Sequence, residues 1–186
     1  MLGSRGRGKS LFAASLGVRN YHHIRDSKSY YVAARENYLL GDGILPKVWD
    51  IMNFVDQNTP WAKRRHEKNT ELHRRASTKV TTADGVETID SRSYNSEIIG
   101  LTAGDNINKL RGIRGKIIVY EEIGSFKNVN KGWNINRPSM ESGKNTFGLM
   151  LGIGTGGDEG SSFEGAEELF TSPRTYKIHA VQNTWD

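Results

Sequence analysis

The chain has 186 residues, 21 of them glycine and none cysteine, with 35% hydrophobic and 25% charged residues and a formal charge of +5. That is enough chain to bury a core and too apolar a composition for a disordered segment, and the missing cysteines exclude a disulfide framework and a thiolate zinc site. No apolar run approaches the roughly 20 residues of a membrane span and no basic-then-apolar segment opens the chain, so neither an anchor nor a secretory leader is expected.

The first element is the segment Gly3-Ser4-Arg5-Gly6-Arg7-Gly8-Lys9-Ser10, a full match to the eight-position phosphate loop. Glycines let a backbone curl with its N–H groups pointing inward as a nest around a β-phosphate. A helix read from Ser10 to Tyr21 would aim its positive end at the same anion. In that chemistry Lys9 bridges the β- and γ-phosphates and the Ser10 hydroxyl sits on Mg²⁺, which makes ATP and Mg²⁺ the expected ligands. Such a loop follows a buried strand, yet only Met1 and Leu2 precede Gly3, so the first strand is expected to be largely missing and the chain to be a fragment.

Further along, Ser29 to Ala34 reads as a short strand, and Val48, Ile51, Met52 and Val55 mark an amphipathic helix entered through Pro46. Trp61 to Ala76 reads as a polar helix carrying Lys63, Arg64, Arg65, Lys68, Arg74 and Arg75, with Glu67 and Glu71 among them. Residues 1–80 hold 15 Lys/Arg against 7 Asp/Glu, whereas residues 81–186 hold 11 against 14. The basic half suggests a polyanionic partner, with Lys63, Arg64, Arg65 and Lys68 as weak DNA-binding candidates; a solvated helix face laced with i,i+4 pairs is the other reading.

Lys79 to Thr82 and Val86 to Ile89 flank Asp84-Gly85, a type I′ hairpin signal. Ile98 to Leu101, Lys116 to Tyr120, Phe147 to Ile153 and Tyr176 to Val181 are strand candidates, and Ser161 with Glu164 makes a capping box before a helix of about ten residues. Strands alternating with helices predict an α/β fold with a mostly parallel sheet flanked by helices, in one domain over 1–186.

Two further segments bear on chemistry. Ile117 to Tyr120 is an apolar run ending in Glu121-Glu122, the pair a phosphate loop needs: one carboxylate for the Mg²⁺ shell and the next to activate a water. Adjacent strand residues point to opposite sides, which suits that division of labour. Glu121 stands where Asp is usual, and Glu122 is the expected base. Phe147 to Ile153 runs into Gly154-Thr155-Gly156-Gly157, a hydroxyl and bare backbone at a sheet edge, as a γ-phosphate sensor requires. Nearly half of the 21 glycines thus fall at elements that would surround one nucleotide: Gly3, Gly6 and Gly8 in the loop, Gly112 and Gly115 just before the Glu strand, and Gly152, Gly154, Gly156, Gly157 and Gly160 at the sensor segment.

With these motifs the sequence resembles the ATPase domain of bacteriophage terminase large subunits. The matching residues are the Arg-bearing loop from Gly3 to Ser10, the Leu110-Arg111-Gly112-Ile113-Arg114-Gly115 segment ahead of the Glu pair, the hairpin around Asp84-Gly85, Ile98-Ile99-Gly100-Leu101, and Gly154-Thr155-Gly156 as the coupling motif. The resemblance implies a RecA-like P-loop NTPase fold in which the coupling strand lies between the phosphate-loop strand and the Glu-Glu strand. It implies Arg5 as an arginine acting in cis on the γ-phosphate, and Thr155 as a relay of γ-phosphate loss; Arg7 has no such role. It also implies a homo-oligomeric ring on a portal protein, a small terminase subunit and double-stranded DNA as partners, and the cytoplasm of an infected bacterium as the place of action. The family's adenine-contacting segment and C-terminal nuclease have no counterpart here, so no DNA cleavage is expected. A helicase-like motor, or an inert nucleotide- or DNA-binding module, remains open from the residues themselves. The five histidines make no metal-ligand spacing, and Trp49, Trp61, Trp133 and Trp185 read as core or interface anchors.

Overall fold

The computed structural model describes residues 2–4, 6–63, 69–155 and 163–179. Its elements in chain order are α1 (Lys9–His23), β1 (Lys28–Ala33), α2 (Ile44–Asn58), β2 (His73–Arg75), β3 (Lys79–Thr81), β4 (Glu87–Ile89), β5 (Glu97–Thr102), β6 (Ile117–Glu121), α3 (Val129–Asn136), β7 (Glu141–Ser142), β8 (Asn145–Thr146), β9 (Leu149–Gly152) and α4 (Glu164–Thr171).

Five strands form the central sheet in the order β2-β5-β1-β6-β9. All its pairings are parallel except that of β2 with β5. Leu2 makes an isolated parallel bridge with Gly154, just past β9. The strand leading to Gly154 therefore lies between the Glu-Glu strand β6 and Leu2, the residue just before the phosphate loop, the expected order.

Period-two alternation assigns side chains to two cores. Tyr31 and Ala33 of β1 and Ile117 and Val119 of β6 face α1 and α2, together with Ala13, Ala14, Val18 and Tyr21 of α1 and Ile44, Leu45, Val48 and Met52 of α2. Tyr30, Val32, Ile118 and Tyr120 face the other way, onto Phe126, Val129, Trp133, Ala166 and Leu169 around α3 and α4. The four α2 residues are fully buried, and each contributes about 1.5–3 kcal/mol relative to an exposed position. Continuous apolar runs such as Ile117 to Tyr120 are what a sheet covered on both faces requires.

Three local readings are corrected. Residues 69–76 are not helical: Asn69 bridges Arg74, and His73–Arg75 is an edge strand antiparallel to β5. Long-range partners outweigh the i,i+4 charge pattern there: the Trp49 indole donates to Glu71 O at 3.0 Å, Arg74 stacks 4.2 Å over the Trp49 ring, and His73 bonds Glu97 at 2.7 Å. Arg64, Arg65 and Lys68 lie outside the described residues. The β3–β4 hairpin forms, but Gly85 (φ 78°) is the member of the Asp84-Gly85 pair with positive φ, and Thr82 N–H bonds Val86 O across the loop. Type I′ needs positive φ at both central residues, so this is a longer loop ending in a left-handed glycine. Residues 173–177 turn instead of extending, with Tyr176 buried and its hydroxyl bonded to Glu168; Ala180 and Val181 lie outside the described residues. The helix after Ser161 spans eight residues, and Ser161 itself lies outside the described residues.

Candidate active site

The loop ahead of α1 is bent by two glycines in the left-handed region, Gly6 (φ 76°) and Gly8 (φ 73°). A Cβ at either would meet nothing within 4 Å, so the requirement is conformational and not one of room. Gly8 is the residue from which α1 starts, and Phe12 N–H closes the first intrahelical bond on Gly8 O at 2.9 Å. The N–H groups before Phe12 have no intrahelical acceptor, and no acidic side chain stands in the first turn to satisfy them. The Lys9 ammonium donates to Gly3 O (2.8 Å) and Ser4 O (2.7 Å), tying helix start and loop together. Arg7 is exposed and donates to Ser4 Oγ at 3.3 Å. Arg5 lies outside the described residues.

Strand alternation continues from Ile117 and Val119 to Glu121, which therefore faces α1. Ser10 Oγ donates to Glu121 Oε1 at 2.9 Å across 111 residues of sequence. Glu121 is 7% exposed, and its other oxygen, Oε2, is buried and has no hydrogen-bond partner among the described residues. Burial pushes its carboxyl up to about 7; the Ser10 bond opposes this, the Glu122 charge adds to it, and Lys47 and Lys9 pull it back. A hydroxyl beside a carboxylate with an unsatisfied oxygen is a hard-oxygen donor set that fits Mg²⁺, which accepts one or two protein oxygens and fills the rest with water and phosphate.

Glu122 ends the strand in the left-handed region (φ 46°, ψ 59°), a conformation that costs a non-glycine residue about 1–3 kcal/mol and that turns its side chain toward β9. There Glu122 Oε2 accepts from Thr155 N at 3.3 Å and Thr155 Oγ1 at 3.4 Å. Gly154 is needed for this approach: a Cβ on it would stand 3.1 Å from Ile123 N and 3.3 Å from Glu122 Oε2. Gly156 lies outside the described residues.

These groups line one cleft of about 770 Å³. Gly6, Arg7, Gly8, Lys9 and Ser10 form one wall, with Glu121, Glu122, Gly154 and Thr155 along the sheet edge. Sequence reasoning missed the remaining wall: Asn37, Tyr38, Asp42, Gly43 and Lys47, from the loop that leaves β1 and the first turn of α2. One signal could have found it. Ligands in open α/β sheets bind beyond the C-terminal ends of the strands, and β1 ends beside β6, Ala33 in register with Glu121. Lys63 is not in this cleft; its ammonium sits 4.3 Å from the Tyr94 ring centre.

Two solved structures share this arrangement of elements. The large terminase ATPase domain of Thermus phage P74-26, in an arginine-to-alanine mutant form, aligns with a TM-score of 0.61 at 18% identity over 88% of this chain and 61% of that one. The fold is that of a terminase ATPase domain. The same Thermus phage domain without the mutation aligns with a TM-score of 0.59 at 18% identity, over 82% of this chain and 57% of that one. The chain thus spans less than two thirds of either terminase domain, and at this identity the likeness is one of fold. The sequence matches no protein-family model and none of the curated proteins compared with it. Among the described residues no helix is long and apolar enough to cross a membrane.

Proposed function

We propose that this chain is the ATP-hydrolysing motor part of a phage terminase large subunit, driving double-stranded DNA into a procapsid. The observation that carries the reading is the meeting, in one cleft at the start of α1, of the Ser10–Glu121 bond with the Glu122–Thr155 contact. Loop, carboxylate pair and sensor hydroxyl come from three distant stretches of sequence, and an ATPase needs all three together.

In this reading the backbone from Gly3 to Gly8 and the α1 N-terminus bind the β-phosphate, and Lys9 leaves the Gly3 and Ser4 carbonyls for the β- and γ-phosphates. Ser10 and Glu121 would hold Mg²⁺, which would supply neutralisation of the phosphate charge. Glu122 accepts a proton from water as the water oxygen bonds to the γ-phosphorus and the bond to the β–γ bridging oxygen breaks, giving ADP and phosphate. Arg5, four residues before Lys9, stabilises the charge that develops on the γ-phosphoryl oxygens. Thr155, with Gly154 and Gly156, registers loss of the γ-phosphate through the contact to Glu122. Lys63, Arg64, Arg65 and Lys68 contribute salt-sensitive contacts to the DNA backbone. The resemblance of fold supports a ring on the portal, a small terminase subunit as partner and action in the host cytoplasm.

Calorimetric titration of the full-length protein with ATP and Mg²⁺ tests this directly. Binding is expected, with competition by ADP and loss in Lys9→Ala; absence of both heat and ADP competition would leave only an inert module. For the basic segment, paired Arg64→Ala and Arg65→Ala substitutions are expected to weaken duplex binding and flatten its salt dependence. An unchanged affinity and salt slope would remove that part of the reading.

A further inference from the structure

Lys47 is a cationic cleft residue that the proposed reaction leaves without a task. It occupies the first turn of α2, where a cation stands against the positive end of the helix macrodipole, and no acidic side chain accompanies it there. Its ammonium donates to Asp42 O (2.9 Å) and Gly43 O (2.7 Å) and, among the described residues, forms no ion pair. Lys9 is placed in the same way at the start of α1, its ammonium held by two loop carbonyls.

The fold explains why the two lysines share a cleft. Helices α1 and α2 pack side by side on one face of the sheet, and both begin at the edge where β1 and β6 end. Two helix N-termini and two ammonium groups therefore border a space whose other wall carries Glu121 and Glu122. The buried Glu121 Oε2, which has no partner among the described residues, independently marks this space as shaped around a ligand that brings a cation. Glu121, Glu122 and Asp42 all line the cleft and repel a triphosphate, while Arg7 and Lys9 stand on the glycine-loop side; Lys47 adds a cation on the wall that Asp42 shares, where the loop's cations do not reach.

We propose that Lys47 is a second phosphate-binding residue, contacting the terminal phosphoryl oxygens of a bound nucleoside triphosphate from the wall opposite the glycine loop. On binding, the ammonium exchanges the Asp42 and Gly43 carbonyls for phosphate oxygens, and the α2 N-terminus adds its dipole to the same anion. Lys47 thereby discriminates triphosphate from diphosphate, whereas Lys9 and the loop hold the phosphates common to both. This inference rests on the nucleotide reading above and adds to it the side of the cleft that recognises the third phosphate.

The test measures equilibrium affinities of the full-length protein for Mg²⁺-ADP and for a Mg²⁺-bound non-hydrolysable ATP analogue. Lys47→Gln keeps an amide donor for the Asp42 and Gly43 carbonyls but loses the charge. It is expected to weaken triphosphate binding by about 10- to 100-fold, the value of a charge-assisted hydrogen bond, and to leave ADP within about twofold. Lys47→Arg should recover most of the discrimination. In parallel, amine-reactive labelling of the wild-type protein, read by mass spectrometry, should show Lys47 protected by the triphosphate analogue and not by ADP, which needs no variant to fold. Equal effects on both nucleotides, or no effect, together with labelling that ignores the triphosphate, would reduce Lys47 to a clasp for the α2 start. Failure of the wild-type protein to bind either nucleotide would overturn the ATPase reading itself, and this inference with it.

Discussion

Replacing Glu121 by Gln separates what this side chain costs the fold from what it does in the cleft. The carboxyl is 7% exposed and, among the described residues, accepts one hydrogen bond, from Ser10, while Oε2 accepts none. Burial first, and then the neighbouring Glu122 charge, raise it from an ordinary 4.5 to about 7 in the metal-free protein. Each tenfold in proton affinity is about 1.4 kcal/mol, so the raised value costs the fold about 3 kcal/mol at pH 8, where the carboxyl ionises in both states, and less than about 1 kcal/mol at pH 5, where the folded carboxyl keeps its proton. The sign follows from the raised value: the folded chain holds the proton more tightly than the unfolded one. The stabilising contribution is therefore complete below 4.5, is lost as pH rises toward 7, and changes little above that. In urea unfolding with a chelator present, wild type should lose about 2 kcal/mol between pH 5 and pH 8 relative to Glu121→Gln, which has no such slope. The same variant should lose the stabilisation that Mg²⁺ and nucleotide confer. Parallel stability curves for the two proteins across that range would refute the burial argument.

Glu97 is the converse case: burial pushes its carboxyl up, but the His73 bond at 2.7 Å and the charges of Lys28, His73 and Arg75 outweigh it and leave it below the ordinary value. Its contribution is present above the unfolded value of 4.5 and is lost as pH falls through the lower folded one, so Glu97→Gln should cost about 1–2 kcal/mol at pH 6 and progressively less as the pH is lowered through that range, measured by denaturant unfolding. A pH-independent cost would sink the argument. In α1, a methyl at Gly17 would stand 2.9 Å from Tyr31 Cζ, and Tyr31 is fully buried with its hydroxyl donating to Ala13 O and Ala14 O. Gly17→Ala should therefore destabilise by about 1–3 kcal/mol despite Ala's better helix propensity, with partial recovery when Tyr31→Phe is added; an unchanged unfolding midpoint would contradict this packing.

The parts of the site legible in the sequence are those whose chemistry fixes both residue type and spacing. A phosphate nest needs glycines at left-handed positions followed by a helix, and a strand that must end in carboxylates is apolar until it does, so Gly3 to Ser10 and Ile117 to Glu122 stand out from their surroundings. That Glu121 and Glu122 turn to different neighbours, Ser10 and Thr155, was readable from alternation, although the left-handed turn at Glu122 was not. Elements set by distant partners were not legible. The charge pattern of 61–76 is helical by local rules, yet His73 and Arg74 answer to Glu97 and Trp49. Helix α3 carries a glycine and three asparagines in eight residues and gives little periodic signal. Gly132 is required in α3 because a Cβ there would lie 2.6 Å from Ile107 Cγ1, a constraint invisible along the chain. Lys47 was missed for a related reason: the wall it belongs to is made by a loop with no motif, brought to the cleft only by the pairing of β1 with β6.

The central claim is that Glu122 acts on a water beside a nucleotide held by Lys9 and the glycine loop. Phosphate release from ATP by the full-length protein, with Mg²⁺ and with and without Glu122→Gln, tests it most directly. Wild type should hydrolyse ATP in a Mg²⁺-dependent way, and Glu122→Gln should retain nucleotide binding while losing hydrolysis by about 100-fold or more, the value of a positioned general base. Hydrolysis by Glu122→Gln at the wild-type rate, or by Lys9→Ala alongside it, would contradict the account.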